Sequence, residues 1–339
     1  MADLRRDDRG QIILVAAFAL AVIFVVMALI VNSAIFTENL ASRGETTGSN
    51  GALSMRAMVE ANVGDSVAAA NRNDNATAAA LATAVQAGVR NISEQTGRQS
   101  ARSGRVVDVA YQSSTPGVRV YQSNNSTFTD DAGDESYQVA GLVSRADGAN
   151  GTRAFEIEAN SITATDNGSA FEIRAQSTPA TGVQESWRAR IWESGGDTVH
   201  VRTLRDVGST TAVEDCTVTH DGPGASVDID VTGGTIDGEE CDALGTAPTG
   251  RNFHFGAGTG VTPGTTESYN ISFANADAIS GNFSMVLYRR SPLSPEVSPL
   301  RTAPASSPAL YDVTVRYTYL TTDMRYETDV RVAPGEADV

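Results

Sequence analysis

The chain has no lysine, and it has only two cysteines and three histidines among its 339 residues. Without lysine it can form neither a Walker-type phosphate loop nor a lysine Schiff base. His200, His220 and His254 are too scattered to show metal-ligand spacing, and no serine lies in a Gly-x-Ser-x-Gly nucleophile elbow. The sequence therefore supplies no candidate catalytic, metal-binding or cofactor-binding residue, and it predicts a non-enzymatic protein without a cofactor.

Positive charge is also scarce. All 25 basic residues are arginines, and 41 acidic residues give the chain a net charge of -16. Such a polyanion repels nucleic acid, which is therefore not an expected partner. The acidic, lysine-free composition resembles that of haloarchaeal proteins, whose surface carboxylates keep them hydrated in concentrated salt. Charge repulsion is screened under those conditions, because the Debye length falls to about 3 Å near 1 M salt.

One long apolar run, Ile12–Val31, lies near the N-terminus. At about 1.5 Å per helical residue it spans roughly the 30 Å hydrocarbon core of a bilayer, so it predicts a single transmembrane helix. A cleaved secretory signal is the alternative interpretation. The run is longer than the apolar region of such signals, and Asn32-Ser33-Ala34 is a poor cleavage site.

The arginines beside this run predict its orientation. Arg5, Arg6 and Arg9 precede it, whereas only Arg43 follows closely. Because basic residues near a span are retained in the cytoplasm, residues 1–11 are expected to be a cytoplasmic leader. The rest of the chain is then extracellular, which makes a single-pass protein of the cell membrane with the lipid bilayer as a partner.

Residues 32–103 are alanine-rich and free of proline, and they predict an extracellular helical stalk. Near its end, apolar residues recur at spacings of three and four, on one face of a helix: Ala78, Leu81, Ala82, Val85, Val89 and Ile92. Glycine lowers helix propensity by about 1 kcal/mol. Breaks are therefore expected within 44–51 and at Gly64.

From residue 104 the apolar period changes to two, which is typical of strands. The clearest segments are 105–111, 154–159, 170–175, 187–192, 198–204, 226–231, 284–290 and 311–319. No long helical pattern interrupts them, so residues 104–339 predict a mainly antiparallel, all-β, sandwich-like domain. The proline-rich segment 291–308 predicts a surface connection that cannot be a central strand. After it, 311–332 predicts a closing hairpin.

Several motifs have both a structural and a ligand-binding interpretation. Trp187 and Trp192 are five apart, hence on opposite strand faces, with one in the core and the other exposed or covered; an aromatic ligand platform is the alternative. The acidic clusters 129–135 and 237–242 lack the spacing of known calcium loops and are expected as hydration surface. The glycine-rich run 255–260 follows no βαβ pattern, which favours a hairpin over a nucleotide cradle.

Two covalent features fit an exterior location. Cys216 and Cys241 are candidates for a disulfide, with two unrelated buried thiols as the alternative. Such a bond would contribute on the order of 3 kcal/mol. Asn-x-Ser/Thr sequons, candidates for N-glycosylation, occur at Asn75, Asn91, Asn124, Asn125, Asn150, Asn167, Asn270 and Asn282.

The tripeptide Arg9-Gly10-Gln11 comes directly before the apolar run. This start resembles the class III signal of archaellins and archaeal type IV pilins, and it is similar to the pseudopilin-like TadE/TadG group of tight-adherence pilus systems. The resemblance implies cleavage between Gly10 and Gln11 by a prepilin peptidase, and packing of the mature helix with other pilin-like subunits. It covers residues 5–40. Pilins often carry glutamate at the fifth mature position, where this chain has Val15.

The sequence as a whole predicts a cell-envelope protein, pilin-like or associated with a pilus or secretion system. Its expected partners are the bilayer, other pilin-like subunits and a prepilin peptidase. The alternative is a membrane-tethered extracellular binding or adhesion domain with an ordinary, uncleaved anchor.

Overall fold

A computed structural model of the protein describes residues 24, 27, 49–73, 76–143, 151–178, 186–207, 210–220, 222, 224–244, 268–289, 295–297 and 303–335. The predicted leader, Gly10, Gln11, most of the apolar run, His254 and the run 255–260 lie outside this part of the chain. Among the residues the structure describes, no helix is long and apolar enough to span a bilayer.

Two helices precede the strands. Helix α1 occupies 49–71, and helix α2 runs from Ala78 to Ala101. The hydroxyl of Thr77 caps α2 by accepting a hydrogen bond from the backbone N–H of Ala80 at 3.2 Å.

The break predicted at Gly64 is wrong, because α1 continues through both Gly51 and Gly64. Gly64 is buried, and a Cβ there would lie 3.6 Å from Pro334, so this part of α1 packs closely against the C-terminal strand. Packing of α1 offsets the low helix propensity of glycine. The chain leaves the helix only after Asn71.

Both helices pack on the β-rich region. The buried residues of this helical core come from α1 (Ala52, Val59, Val63, Val67), from α2 (Leu81, Val85, Val89) and from strands (Val107, Val109, Leu310, Val313, Val315, Tyr317, Tyr319, Val330, Val332). The amphipathic face predicted for α2 is confirmed, with Ala82 and Ile92 half-buried beside it. The helices therefore share a hydrophobic core with the strands.

Fourteen strands are described: β1 (Val106–Gln122), β2 (Tyr137–Val143), β3 (Thr152–Ile162), β4 (Phe171–Thr178), β5 (Ser186–Ser194), β6 (Thr198–Val207), β7 (Thr210–Thr219), β8 (Val227–Asp230), β9 (Thr235–Ile236), β10 (Glu239–Glu240), β11 (Ser268–Ala274), β12 (Ile279–Tyr288), β13 (Ala305–Leu320) and β14 (Arg325–Val332). Every segment that the sequence predicts as a strand overlaps one of them. The predicted closing hairpin is β13–β14.

The strands form two sheets, and every pairing within the described residues is antiparallel. The eight-stranded sheet has the order β10-β9-β8-β3-β12-β1-β13-β14, and the six-stranded sheet has the order β2-β11-β4-β5-β6-β7. Residues of both sheets share one core. At its centre, Phe273 of β11 and Phe283 of β12 lie 5.2 Å apart in an edge-to-face contact. The predicted mainly antiparallel all-β domain is thus confirmed.

The prediction for the proline-rich segment is wrong at its C-terminal end, because β13 begins at Ala305 and contains Pro308. Pro308 pairs with Val118 of β1, whereas β14 joins β13 only from Val313 onward. This part of β13 has a single strand neighbour, so proline removes no hydrogen bond to a second one. Earlier in the segment, Glu296 exchanges two backbone hydrogen bonds with Gly141.

Candidate functional site

A groove with a volume of about 530 Å³ lies on the outer face of the eight-stranded sheet. Strand pairing builds it. Glu156 of β3 lies opposite Asp230 of β8, and Glu158 lies opposite Asp228. Because alternate residues of a strand face opposite ways, these four carboxylates share the outer face while Ile157 between them is buried in the core.

Arg119 is the cation of this groove. Its Nε donates a hydrogen bond of 2.8 Å to Ser284 Oγ, and its guanidinium lies 4.3 Å from the ring centre of Tyr121. Asn282 donates to Glu158 at 3.1 Å. These contacts fix the polar side chains on the β1 and β12 side of the groove.

The carboxylates repel one another. Desolvation, and then the charge of Asp230, raise the pKa of Glu156. Desolvation, and then the charges of Asp237 and Glu158, raise the pKa of Asp228. Because the groove has four carboxylates and one guanidinium, it favours a positively charged ligand. In the part of the chain that is described, no three His, Cys, Asp or Glu side chains are placed to hold a metal ion.

One aspartate of each predicted acidic cluster accepts hydrogen bonds from backbone N–H groups. Asp130 Oδ1 accepts hydrogen bonds from the backbone N–H groups of Ala132 and Asp134. Asp237 Oδ1 accepts from the N–H of Asp228 at 2.8 Å. Bonds of this kind hold a turn without any bound ion.

The two tryptophans lie as predicted. Trp187 is in the core, and Trp192 is half-buried on the opposite face of β5. The ring of His200 stacks on Trp192 at 5.0 Å and is held by Ser194 Oγ, 2.6 Å from His200 Nε2. One face of the Trp192 ring is therefore covered by protein. The side chain of His220 is buried, with its Nε2 3.9 Å from a carboxylate oxygen of Glu193.

Cys216 and Cys241 form a disulfide, with their Cα atoms 5.5 Å apart. Cys216 belongs to β7, the last strand of the six-stranded sheet. Cys241 follows β10, the last strand of the other sheet. The bond thus joins the ends of the two sheets.

The sequons differ in exposure. Asn91, Asn124 and Asn125 are exposed, whereas Asn167, Asn270 and Asn282 are half-buried. Asn75 and Asn150 lie outside the described residues. At the N-terminus, Phe24 and Met27 are helical and highly exposed, at 61% and 57%. Their spacing of three places them on one helical face.

Sequence reasoning missed the groove. Alternating acidic residues in 154–159 and 226–231 predict one acidic face for each strand. That the two strands are neighbours is a non-local fact which no local pattern reveals.

Residues 6–134 match a protein family described as a family of unknown function (DUF7261). The matched segment contains the apolar run, both helices, strand β1 and the turn after it. No curated protein matches the chain, and no solved structure matches it.

Proposed function

We propose that the chain is a non-enzymatic cell-envelope subunit, pilin-like or associated with a pilus or secretion system. It is anchored by the apolar run and presents the β-sandwich outside the cell. The observation that carries this proposal is the short leader ending in Arg9-Gly10-Gln11 directly before Ile12–Val31. A single apolar helix of that length both anchors a subunit in lipid and offers a surface for packing with other helices.

The helical core supports the proposal. Val59, Val63 and Val67 of α1 are buried against the sheet, so the β-sandwich is fixed to the N-terminal part of the chain through a packed helix. The exposed Phe24 and Met27 supply apolar surface for lipid or for a neighbouring helix. The family match also begins in the leader and continues past both helices, which links the apolar run to the helical core.

The test is the mass of the intact protein and of its N-terminal peptide after isolation from native membranes. A mature chain that begins at Gln11 is expected, and Gly10→Val should retain the leader. Gly44→Val is the matched control, because it makes the same change beyond the apolar run and should be processed normally. A retained leader in the unaltered protein would refute processing.

A membrane-tethered binding domain is the second candidate, and the acidic groove favours it. In that case the anchor only holds the sandwich at the membrane, and the groove takes a cationic ligand. Shearing cells and fractionating the product separates the two proposals. A subunit of a filament is released with sheared fibres, whereas a tethered domain stays in the membrane fraction.

A further inference from the structure

We propose that Asn124 carries an N-linked glycan. The proposal rests on the exterior location of the sandwich given under the proposed function. Asn124 lies in the exposed turn 123–126, directly after β1 ends at Gln122. A modification there points into solvent and displaces no packed side chain.

The geometry around Asn124 suits the reaction. Its Oδ1 accepts hydrogen bonds from the hydroxyl of Ser126 at 2.8 Å and from the backbone N–H of Ser126 at 3.2 Å. Ser126 is the hydroxyl residue of this sequon. Among the described residues, nothing accepts a hydrogen bond from Asn124 Nδ2, so the nitrogen that must react is open to solvent.

A donor on the amide oxygen favours the form in which Nδ2 has lost a proton and can act as a nucleophile. Nδ2 attacks the anomeric carbon of a saccharide carried on a lipid phosphate. The carbon–oxygen bond to the phosphate breaks, the lipid phosphate leaves with the electron pair, and the Nδ2 proton passes to a base of the transferase. No atom is oxidised or reduced.

The turn keeps this geometry because the side chain of Gln122 is hydrogen-bonded to its backbone. Gln122 is buried, and its Nε2 donates to the backbone oxygens of Ser126 at 3.0 Å and Thr127 at 3.1 Å. These bonds fix the base of the turn and leave its tip exposed. Sequon side chain and hydroxyl are therefore already arranged in the folded protein.

Exposure alone does not distinguish Asn124 from Asn91. The hydroxyl of the Asn91 sequon belongs to Ser93, which donates to Asp108 at 3.0 Å and accepts from the N–H of Val109 at 2.9 Å. Those bonds join α2 to β1. Using this hydroxyl to activate Asn91 would require breaking the contact between helix and strand.

The half-buried sequons are engaged in the fold. Asn270 lies in β11 between two strands, and its Oδ1 accepts from the N–H of Leu142 at 3.1 Å. Asn282 lies in β12, and its Nδ2 donates to Glu158 at 3.1 Å. A glycan on Asn282 would cost the hydrogen bond to Glu158, and one on Asn270 would have to fit between the strands that flank β11.

The two remaining described sequons lack the required hydroxyl contact. In the Asn167 sequon, the hydroxyl of Ser169 is bonded to Asp166. For Asn125, the hydroxyl of Thr127 contacts that of Thr129 at 3.2 Å.

The test is peptide mapping of the full chain isolated from its native membranes. With no lysine in the chain, trypsin releases residues 120–145 as one peptide, which contains only the sequons at Asn124 and Asn125. We expect this peptide to carry a single glycan mass. Asn124→Gln and Ser126→Ala should both remove it, since each destroys this sequon and leaves the one at Asn125 intact.

Thr127→Ala is the matched control, because it destroys the Asn125 sequon and leaves that of Asn124 complete. The glycan mass should remain in this variant. A bare peptide in the unaltered protein, or a glycan lost only in Thr127→Ala, would overturn the assignment.

Protease treatment of intact cells separates this failure from failure of the proposed function. If sandwich peptides are released from intact cells but the 120–145 peptide is bare, only the glycan assignment falls. If the sandwich is protected until cells are lysed, the exterior location is refuted, and the glycan assignment that depends on it is refuted as well.

Discussion

Asn71 and Leu310 exchange two hydrogen bonds across 239 positions of sequence. The amide Nδ2 of Asn71 donates to the Leu310 carbonyl at 2.9 Å, and the Leu310 N–H donates to Asn71 Oδ1 at 2.8 Å. Leu310 lies at an irregularity of β13, where the register with β1 shifts between Thr115 and Pro116. A side chain at the end of α1 thus pairs with a strand where the ladder is disturbed.

Asn71→Ala should lower the free energy of unfolding by about 1–3 kcal/mol, because the Leu310 N–H would be buried without its hydrogen bond. The Leu310 carbonyl would keep the hydrogen bond that it accepts from Arg153 Nη2. Denaturant unfolding in high salt, followed by the fluorescence of the buried Trp187, measures the change. The matched control is Asn62→Ala, because Asn62 is exposed and its amide donates to the carbonyl of Met58 within the same helix. Equal losses in the two variants would contradict the role given to the Leu310 pair.

Gly64→Ala should raise the free energy of unfolding by up to about 1 kcal/mol. Gly64 is helical, and an added Cβ would meet Pro334 at an ordinary contact distance of 3.6 Å. The opposite result is expected for Gly281→Ala, whose Cβ would lie 2.0 Å from the carbonyl oxygen of Glu158 and whose φ is +148°. The free energy of unfolding of Gly281→Ala should be lower by more than about 2 kcal/mol. Thermal unfolding of the two variants side by side checks the difference in sign.

Replacing both Cys216 and Cys241 by serine should lower the free energy of unfolding by about 2–4 kcal/mol, because the unfolded chain regains the freedom of a loop with a sequence separation of 25. Unfolding of the unaltered protein with and without a reductant gives the comparison. The double variant should respond identically under both conditions. A reductant effect that persists in the variant would mean that the disulfide is not its cause.

Local pattern was enough to predict the strands, because alternating residues such as those of 154–159 have only one arrangement that buries Ile157 and exposes Glu156. It was not enough to predict where glycine or proline is tolerated. Gly64 would be expected to interrupt a helix, and Pro308 to interrupt a strand. Gly64 is tolerated because α1 packs near Val332 of β14, and Pro308 because that part of β13 pairs only with β1. Packing decided these two positions against propensity.

The acidic groove was likewise predictable only in part from the sequence. Each strand's acidic face follows from its own residues, but the groove needs β3 beside both β8 and β12. Pairings of this kind are fixed by the whole core, where Phe155 and Ile157 pack with residues of the other sheet. The turn at Asn124 differs from the groove. Its sequon can be read directly from the sequence, and only the hydrogen bonds around Asn124 had to come from the structure.

Glu172→Gln should destabilise the protein at neutral pH. Burial raises the pKa of Glu172, but hydrogen bonds from Arg190 and Arg174 outweigh it, and the pKa is lowered overall. A carboxyl with a lowered folded-state pKa contributes stability above its unfolded pKa, and that contribution is lost as the pH falls through the folded-state value. The difference in the free energy of unfolding between the unaltered protein and the variant, measured by denaturant unfolding, should therefore become smaller in acid. A gap of constant size from neutral to acid pH would contradict the ion pairs as its source.

Glu156→Gln should stabilise the protein at neutral pH, whereas Glu172→Gln should destabilise it. Desolvation and the nearby Asp230 raise the pKa of Glu156, so the folded state binds its proton more tightly than the unfolded chain does. Its ionised form costs stability, and that cost is absent below the unfolded pKa and complete once the pH has risen through the raised folded-state value. The variant should be more stable than the unaltered protein at pH 7 and equally stable near pH 3. Added salt screens the repulsion from Asp230 and should shrink that part of the gain at pH 7, whereas the part that comes from desolvation should remain. Denaturant unfolding at both pH values, in low and high salt, tests this. A gain that survives at pH 3 would rule out ionisation of Glu156 as its cause.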